Sequence, residues 1–158
     1  MRDMFIGDEA RAAVNAAAAT ARLAGLAAGG SLIRVSHAAW GEGTAKMDPT
    51  AGLPELIVVH SRGPARRGAA SLLILRWVAA DASGQRFPVL DADITLTAAG
   101  DTSVLALTGT YRLPPGPAPG AGQEAVRQCA AATIHSFLAH LACAIAHPAG
   151  REPGSLAS

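Results

Sequence analysis

Asp91 and Asp93 stand two residues apart in a stretch that alternates like a β-strand, so both carboxylates share one face. Paired carboxylates hold a metal or do acid–base work. Thr95 and Thr97 continue the same row, however, and the simpler account is a solvated face. The five histidines are scattered. His135 and His140 sit five apart, about 140° around a helix axis, so they miss the spacing of a helical zinc pair. His60 ends an apolar run. His37 falls within an alternating stretch and is the one histidine that can be read as a polar group in an interior cavity. Cys129 and Cys143 lie 14 positions apart in one helical segment, about 21 Å, too far for a disulfide. Both read as buried free thiols of a reducing compartment. There is no Gly-x-Ser-x-Gly elbow, no Cys–His nucleophile spacing and no Gly-Lys-Ser/Thr loop. The glycines of 116–122 are interrupted by Pro117 and Pro119, which lack the N–H groups a phosphate cradle uses. No catalytic set, metal site or cofactor motif is therefore assigned. Arg62, Arg66 and Arg67 read as a solvated turn, and Arg76 and Arg112 as neighbours of Trp77 and Tyr111 within cation–π reach.

The chemistry these residues leave open is apolar, and it depends on what positions Trp77 and Tyr111. Each joins a large apolar body to one polar handle. The segment from about Gly122 to His147 has an unbroken helical period: Val126, Ala130, Ile134, Phe137, Leu138, Leu141 and Ile145 form one stripe. Pro148 ends it. Ahead of it, 113–122 is a Pro/Gly loop.

Between Ser31 and Arg112 the pattern predicts short strands with turn signals. These are Ser31–Trp40, Glu55–His60, Ala69–Ala79, Arg86–Thr97 and Thr102–Arg112, with turns at Gly41–Gly43, Arg62–Gly68, Asp81–Gln85 and Ala98–Asp101. The residues 44–54 carry no clear pattern. Met4–Ile6 reads as a first strand. Gly7 or Asp8 then caps alanine-rich helix over Ala10–Ala28, broken or bent near Gly25. A lone long helix after antiparallel strands has to bury its stripe on the sheet.

The chain has 158 residues and a formal charge of +1, which fits one domain over residues 1–148 with a disordered tail over 149–158. Near-neutral charge argues against electrostatic nucleic-acid binding. Lys46 is the only lysine, and with the abundant Ala, Gly and Pro this reads as a GC-rich genome. Asp3, Asp8 and Glu9 do not suit a signal peptide, and Arg11, Asn15 and Arg22 interrupt the alanine run as a membrane span. A cytoplasmic protein with no membrane span is the expectation.

The pieces around Arg76-Trp77, Phe87–Asp91 and Tyr111–Pro115, followed by the closing helix, resemble uncharacterised actinobacterial proteins of the START/Bet v 1-like (SRPBCC) superfamily, which includes polyketide cyclases. The resemblance implies an α+β helix-grip fold: a curved antiparallel sheet wrapped around the C-terminal helix, with short helices after the first strand. It also implies an apolar cavity between sheet and helix for a lipid, isoprenoid or polyketide-like ligand. The small residues Ala92, Ala106, Gly109, Ala130, Ala131 and Ala142 leave room for one. Expected ligand contacts are Trp77, Leu90, Leu105, Leu107, Tyr111, Ile134, Phe137 and Leu141, with His37 as the polar cavity group and Trp40 at the rim. A cyclase/aromatase-type enzyme is the second reading. The third is an interaction module with a filled core that forms a homodimer through its sheet.

Overall fold

The computed structural model describes residues 2–44, 55–80, 89–113 and 121–147. Strand β1 (Arg2–Ala12) leads into helices α1 (Ala16–Ala28) and α2 (Ser31–Thr44). Strands β2 (Glu55–Arg67), β3 (Ala70–Ala80), β4 (Val89–Ala99) and β5 (Thr102–Leu113) follow, and helix α3 (Ala121–Ala146) comes last. All neighbouring pairs are antiparallel, in the order β1-β5-β4-β3-β2. The sheet is curved, and the helices cover one of its faces.

Period-two alternation explains which residues go inside. Leu73, Leu75 and Trp77 of β3, Leu90, Ala92, Ile94 and Leu96 of β4, and Leu105, Leu107 and Tyr111 of β5 are buried in one core. The inner face of β1 adds Met4, Ile6, Ala10 and Ala12. On α3 the buried residues Ala130, Ile134, Phe137, Leu138, Leu141, Ala142 and Ile145 follow the helical period. That helix lies over β1 and alongside α2. By length and apolarity Arg127–Ala146 qualifies as a membrane span, yet half of it is buried inside the protein, as a core helix would be.

Three segments depart from expectation. Ser31–Thr44 is helix, not a strand with a turn at Gly41–Gly43. Its buried residues Leu32, Ser36, Ala39, Trp40 and Gly43 are spaced four, three, one and three apart, a helical face. The alternation of Ile33, Val35 and His37 was coincidental in a run where every second residue is small or polar. The first strand extends to Ala12, and helix begins only at Ala16. Asn15, not Gly7 or Asp8, is its cap, accepting from the Ala18 N–H at 2.9 Å. Alanine's helix preference is outweighed by an eleven-residue ladder with β5. Finally, Arg62–Arg67 continues strand β2 instead of forming a loop; the turn to β3 is at Gly68, whose φ is +63°. A register shift between Arg62 and Ala65 absorbs Gly63 and Pro64, and the Gly63–Pro64 peptide is cis. Proline is tolerated because β2 is an edge strand. The expected turn at Asp81–Gln85, the loop residues 114–120 and the tail 149–158 lie outside the described residues, as do Arg86 and Phe87.

Two helices meet at a glycine. A β-carbon on Gly43 would collide with the Thr133 hydroxyl and lie 2.9 Å from the Thr133 Cα. The same crossing is held by Cys129 Sγ donating to the Gly43 carbonyl at 3.2 Å, and by Thr133 Oγ1 donating to the Cys129 carbonyl at 2.8 Å. Gly43→Ala should therefore destabilise by about 1–3 kcal/mol through overpacking. Gly41→Ala, two residues earlier with nothing within 4 Å, should stabilise by about 0.5–1 kcal/mol. Urea denaturation of the two variants checks the contrast.

Candidate functional site

The inner face of the sheet is arranged in rows by strand register. One row runs Val59, Trp77, Leu90, Tyr111, Met4. The next runs Ser61, Leu75, Ala92, Gly109, Ile6. Helix α3 places Ile134, Phe137 and Leu141 in the same core cluster. All eight residues expected to contact a ligand are thus brought together: Trp77, Leu90, Leu105, Leu107, Tyr111, Ile134, Phe137 and Leu141 are each at most 5% exposed.

Trp77 joins the three layers. Its ring stands edge-on to Phe137 of α3, centroids 5.1 Å apart, and edge-on to Trp40 of α2 at 6.3 Å. T-shaped pairs of this kind add about 0.5–1.5 kcal/mol beyond area burial. The indole N–H donates to Ser36 Oγ at 3.0 Å, and Ser36 donates on to the Leu32 carbonyl at 2.8 Å. Trp40 is thereby a buried partner of Trp77 and not a rim residue at a strand end.

His37, assigned by alternation to the cavity, sits on the exposed side of α2. The interior polar position on that helix is Ser36, one residue earlier, because the helical period replaces the strand period. Arg76 and Arg112 also differ from expectation. Their neighbours Trp77 and Tyr111 point inward, whereas both guanidiniums reach outward to Asp91, at 3.5 and 3.9 Å. The pairs are half exposed and add little stability.

Two thiols and one phenol complete the inventory. Cys129 is buried but Cys143 is exposed, which corrects the expectation that both are inside. Burial pushes the Cys129 thiol up from its ordinary pKa. Tyr111 is raised well above the usual tyrosine range, mainly by burial and secondarily by the nearby Cys129. Both groups stay protonated at neutral pH. Among the described residues no three His, Cys, Asp or Glu side chains gather into a metal cage.

Sequence reasoning missed the polar clamps on α3. Glu42 at the end of α2 accepts from Ser136 Oγ and pairs with His140 Nε2 at 2.9 Å. Those contacts, Ser136 first, hold the Glu42 carboxyl below its ordinary pKa. Asp8 of β1 pairs with His135 Nδ1 at 2.9 Å. The only sequence trace was the four-residue spacing of Ser136 and His140, which puts them on one helix face. Ser136 donates to the carboxylate and not to the His140 ring, so the trio is a clamp and not a nucleophile set.

The outer face carries a shallow groove of about 390 Å³. Phe5 and Ile74 flank it, and Asp91, Asp93, Thr108 and Thr110 line it. Asp93 is exposed there, as the solvated-face reading required. Arg62, Arg66 and Arg67 are exposed along edge strand β2, where charge discourages edge-to-edge pairing.

A first strand, two helices, four further antiparallel strands and a final helix against the inner face make the deciding pattern. The fold is a helix grip. Searches against protein families and against curated proteins find no match. Solved structures similar to this helix-grip chain include TTHA0849 from Thermus thermophilus, at 15% identity and a TM-score of 0.49, covering 90% of this chain and 97% of that one. The Zhui aromatase/cyclase from Streptomyces sp. R1128 is similar at 12% identity and a TM-score of 0.38, covering 96% of this chain and 100% of that one. A START superfamily protein from Mycobacterium smegmatis is similar at 11% identity and 0.35, covering 87% and 96%. At such identities the likeness concerns the helix-grip architecture and carries nothing about activity.

Proposed function

We propose that this helix-grip protein binds a small apolar molecule, a lipid, isoprenoid or polyketide-like compound, between the inner sheet face and α3. The observation that carries this reading is the composition of that interior. Its large side chains are apolar or aromatic, and its buried polar groups are neutral: Ser36, Ser71, Ser103, Thr133, Cys129 and Tyr111. A lining of this kind suits an apolar ligand oriented by a few polar contacts. Small residues, Ala92 on the sheet and Ala130 on the helix, stand among the large ones.

A cyclase or aromatase needs a group that moves protons near neutral pH. Among the described residues no His, Asp or Glu is buried, and Tyr111 and Cys129 are both held protonated. Binding without catalysis is therefore preferred over the enzymatic reading. Phe5, 85% exposed, and Ile74, 42% exposed, on the outer face are the observation behind the dimer reading, which ranks third.

The test is a thermal-shift screen with fatty acids, isoprenoids and polycyclic aromatics. A specific ligand at about 100 times its dissociation constant should add about 2.7 kcal/mol, a rise of about 5–10 °C for a domain of this size. Native mass spectrometry should show the same ligand bound one to one. No shift with any class counts against interior binding.

A further inference from the structure

We propose that the outer face of the sheet pairs with a second copy of this chain across a two-fold axis running along β3. This goes beyond interior binding. Unlike an interaction module with a filled core, it holds whether or not the interior is occupied.

The argument begins with the order of charge across the strands. Register sets the outward residues in rows. One row runs Arg62, Ile74, Asp93, Thr108, Gly7 from β2 to β1, and the next runs His60, Arg76, Asp91, Thr110, Phe5. On β3 the outward residues Leu72 and Ile74 are apolar, and Ile74 is 42% exposed. The flank on β2 is basic, with His60 and Arg62, and the flank on β4 is acidic, with Asp91 and Asp93. A half-turn about β3 exchanges these flanks. Arg62 of each copy then stands over the partner's Asp93, and the two Ile74 side chains meet on the axis. A patch that complements itself in this way is what a two-fold dimer uses. Sheets packed face to face keep their strands within about 30° of each other, so the rows stay matched near the axis.

The charges that have most to gain are the right ones. Asp91 is already shared by Arg76 and Arg112, so Arg76, the one charged residue of β3, brings its own counter-ion to the axis. Arg62 and Asp93 are both exposed, and neither has an ion-pair partner among the described residues. The outer groove supplies the space. It lies over Asp91 and Asp93 between Ile74 and Phe5, so the partner's β2 edge can seat its arginine there, with the Phe5 ring as an aromatic wall.

Size sets the strength. The overlap covers β2, β3 and β4, roughly 14 Å by 27 Å at about 4.8 Å between strands and 3.4 Å per residue. That is the small end of specific interfaces, and the dissociation constant should be about 10–100 µM.

Sedimentation velocity from about tenfold below to tenfold above that constant tests this. The wild type should pass from monomer to dimer. Arg62→Glu should weaken association at least about tenfold, since each dimer then sets two like-charge pairs face to face. Asp93→Arg should do the same. The double variant, Arg62→Glu with Asp93→Arg, restores opposite charges and should dimerise as the wild type does. Ile74→Lys puts two like charges on the axis and should stay monomeric throughout. All three positions are exposed, so melting temperatures of the dilute monomers should change little. A wild type that remains monomeric, a dimer that persists in Ile74→Lys, or a double variant that associates no better than either single one overturns the inference.

Discussion

Trp77→Ala should lower the stability of this protein by about 3–5 kcal/mol, the range for emptying a large aromatic site in a core. Three losses add up at one position. The side chain is 1% exposed, so its whole volume becomes a void or forces collapse. The edge-on contacts to Trp40 and Phe137 both vanish, and with them the joint between sheet, α2 and α3. Ser36 loses the indole donor as well. For a chain of this size the melting temperature should drop by about 6–20 °C. Trp40 remains as the only tryptophan, so its fluorescence reports unfolding directly. Trp77→Phe, which keeps an aromatic ring in the site, should cost clearly less. Equal costs for Ala and Phe would mean that the indole N–H to Ser36, not packing, anchors the centre.

Gly109→Val should be the most damaging substitution on the sheet that adds atoms. A β-carbon at Gly109 would collide with the Asp91 carbonyl oxygen and stand 2.7 Å from the Ala92 Cα. Both obstacles are backbone, so no side-chain rotation relieves them. Overpacking typically costs about 1–3 kcal/mol, and a rigid obstacle puts this case at the upper end. Gly7→Ala is the matching control, since its nearest contact, the Leu107 carbonyl oxygen at 3.5 Å, is ordinary. It should be neutral within about 0.5 kcal/mol. Denaturation curves in which Gly7→Ala costs as much as Gly109→Val would show that strand flexibility, not close approach, sets the requirement for glycine.

The sequence disclosed what repeats and hid what depends on partners distant in the chain. Helix α3 was legible because Ile134, Phe137, Leu138, Leu141 and Ile145 recur along one side. Strands β3 to β5 were legible because Leu73, Leu75 and Trp77, then Leu90 to Leu96, then Leu105 and Leu107, keep a strict alternation. Helix α2 was not, since Ser36, Ala39 and Gly43 are too small to mark a buried face. What makes them buried is Trp77, Phe137 and Thr133 arriving from elsewhere. The same holds for β1. Ala10 and Ala12 read as helix until β5 is laid beside them. The apolar interior residues were legible from alternation and period, but His37 was assigned with the wrong period. Its neighbour Ser36 is the polar group that faces inward. The Glu42, Ser136 and His140 clamp left only the spacing of its two α3 residues in the sequence, because Glu42 lies 94 positions from Ser136.

The first strand and the last helix meet. Asp8 reaches His135, 127 positions on, and the ladder between β1 and β5 closes nearly as long a loop. During synthesis the first strand therefore waits for most of the chain to leave the ribosome before it finds either neighbour. Until then the leucine-rich inner surface lacks α3. A chain with such non-local closure folds slowly and exposes sticky intermediates. Stalling translation before residue 121 should leave a nascent chain that chaperones hold, and release through residue 147 should let it fold.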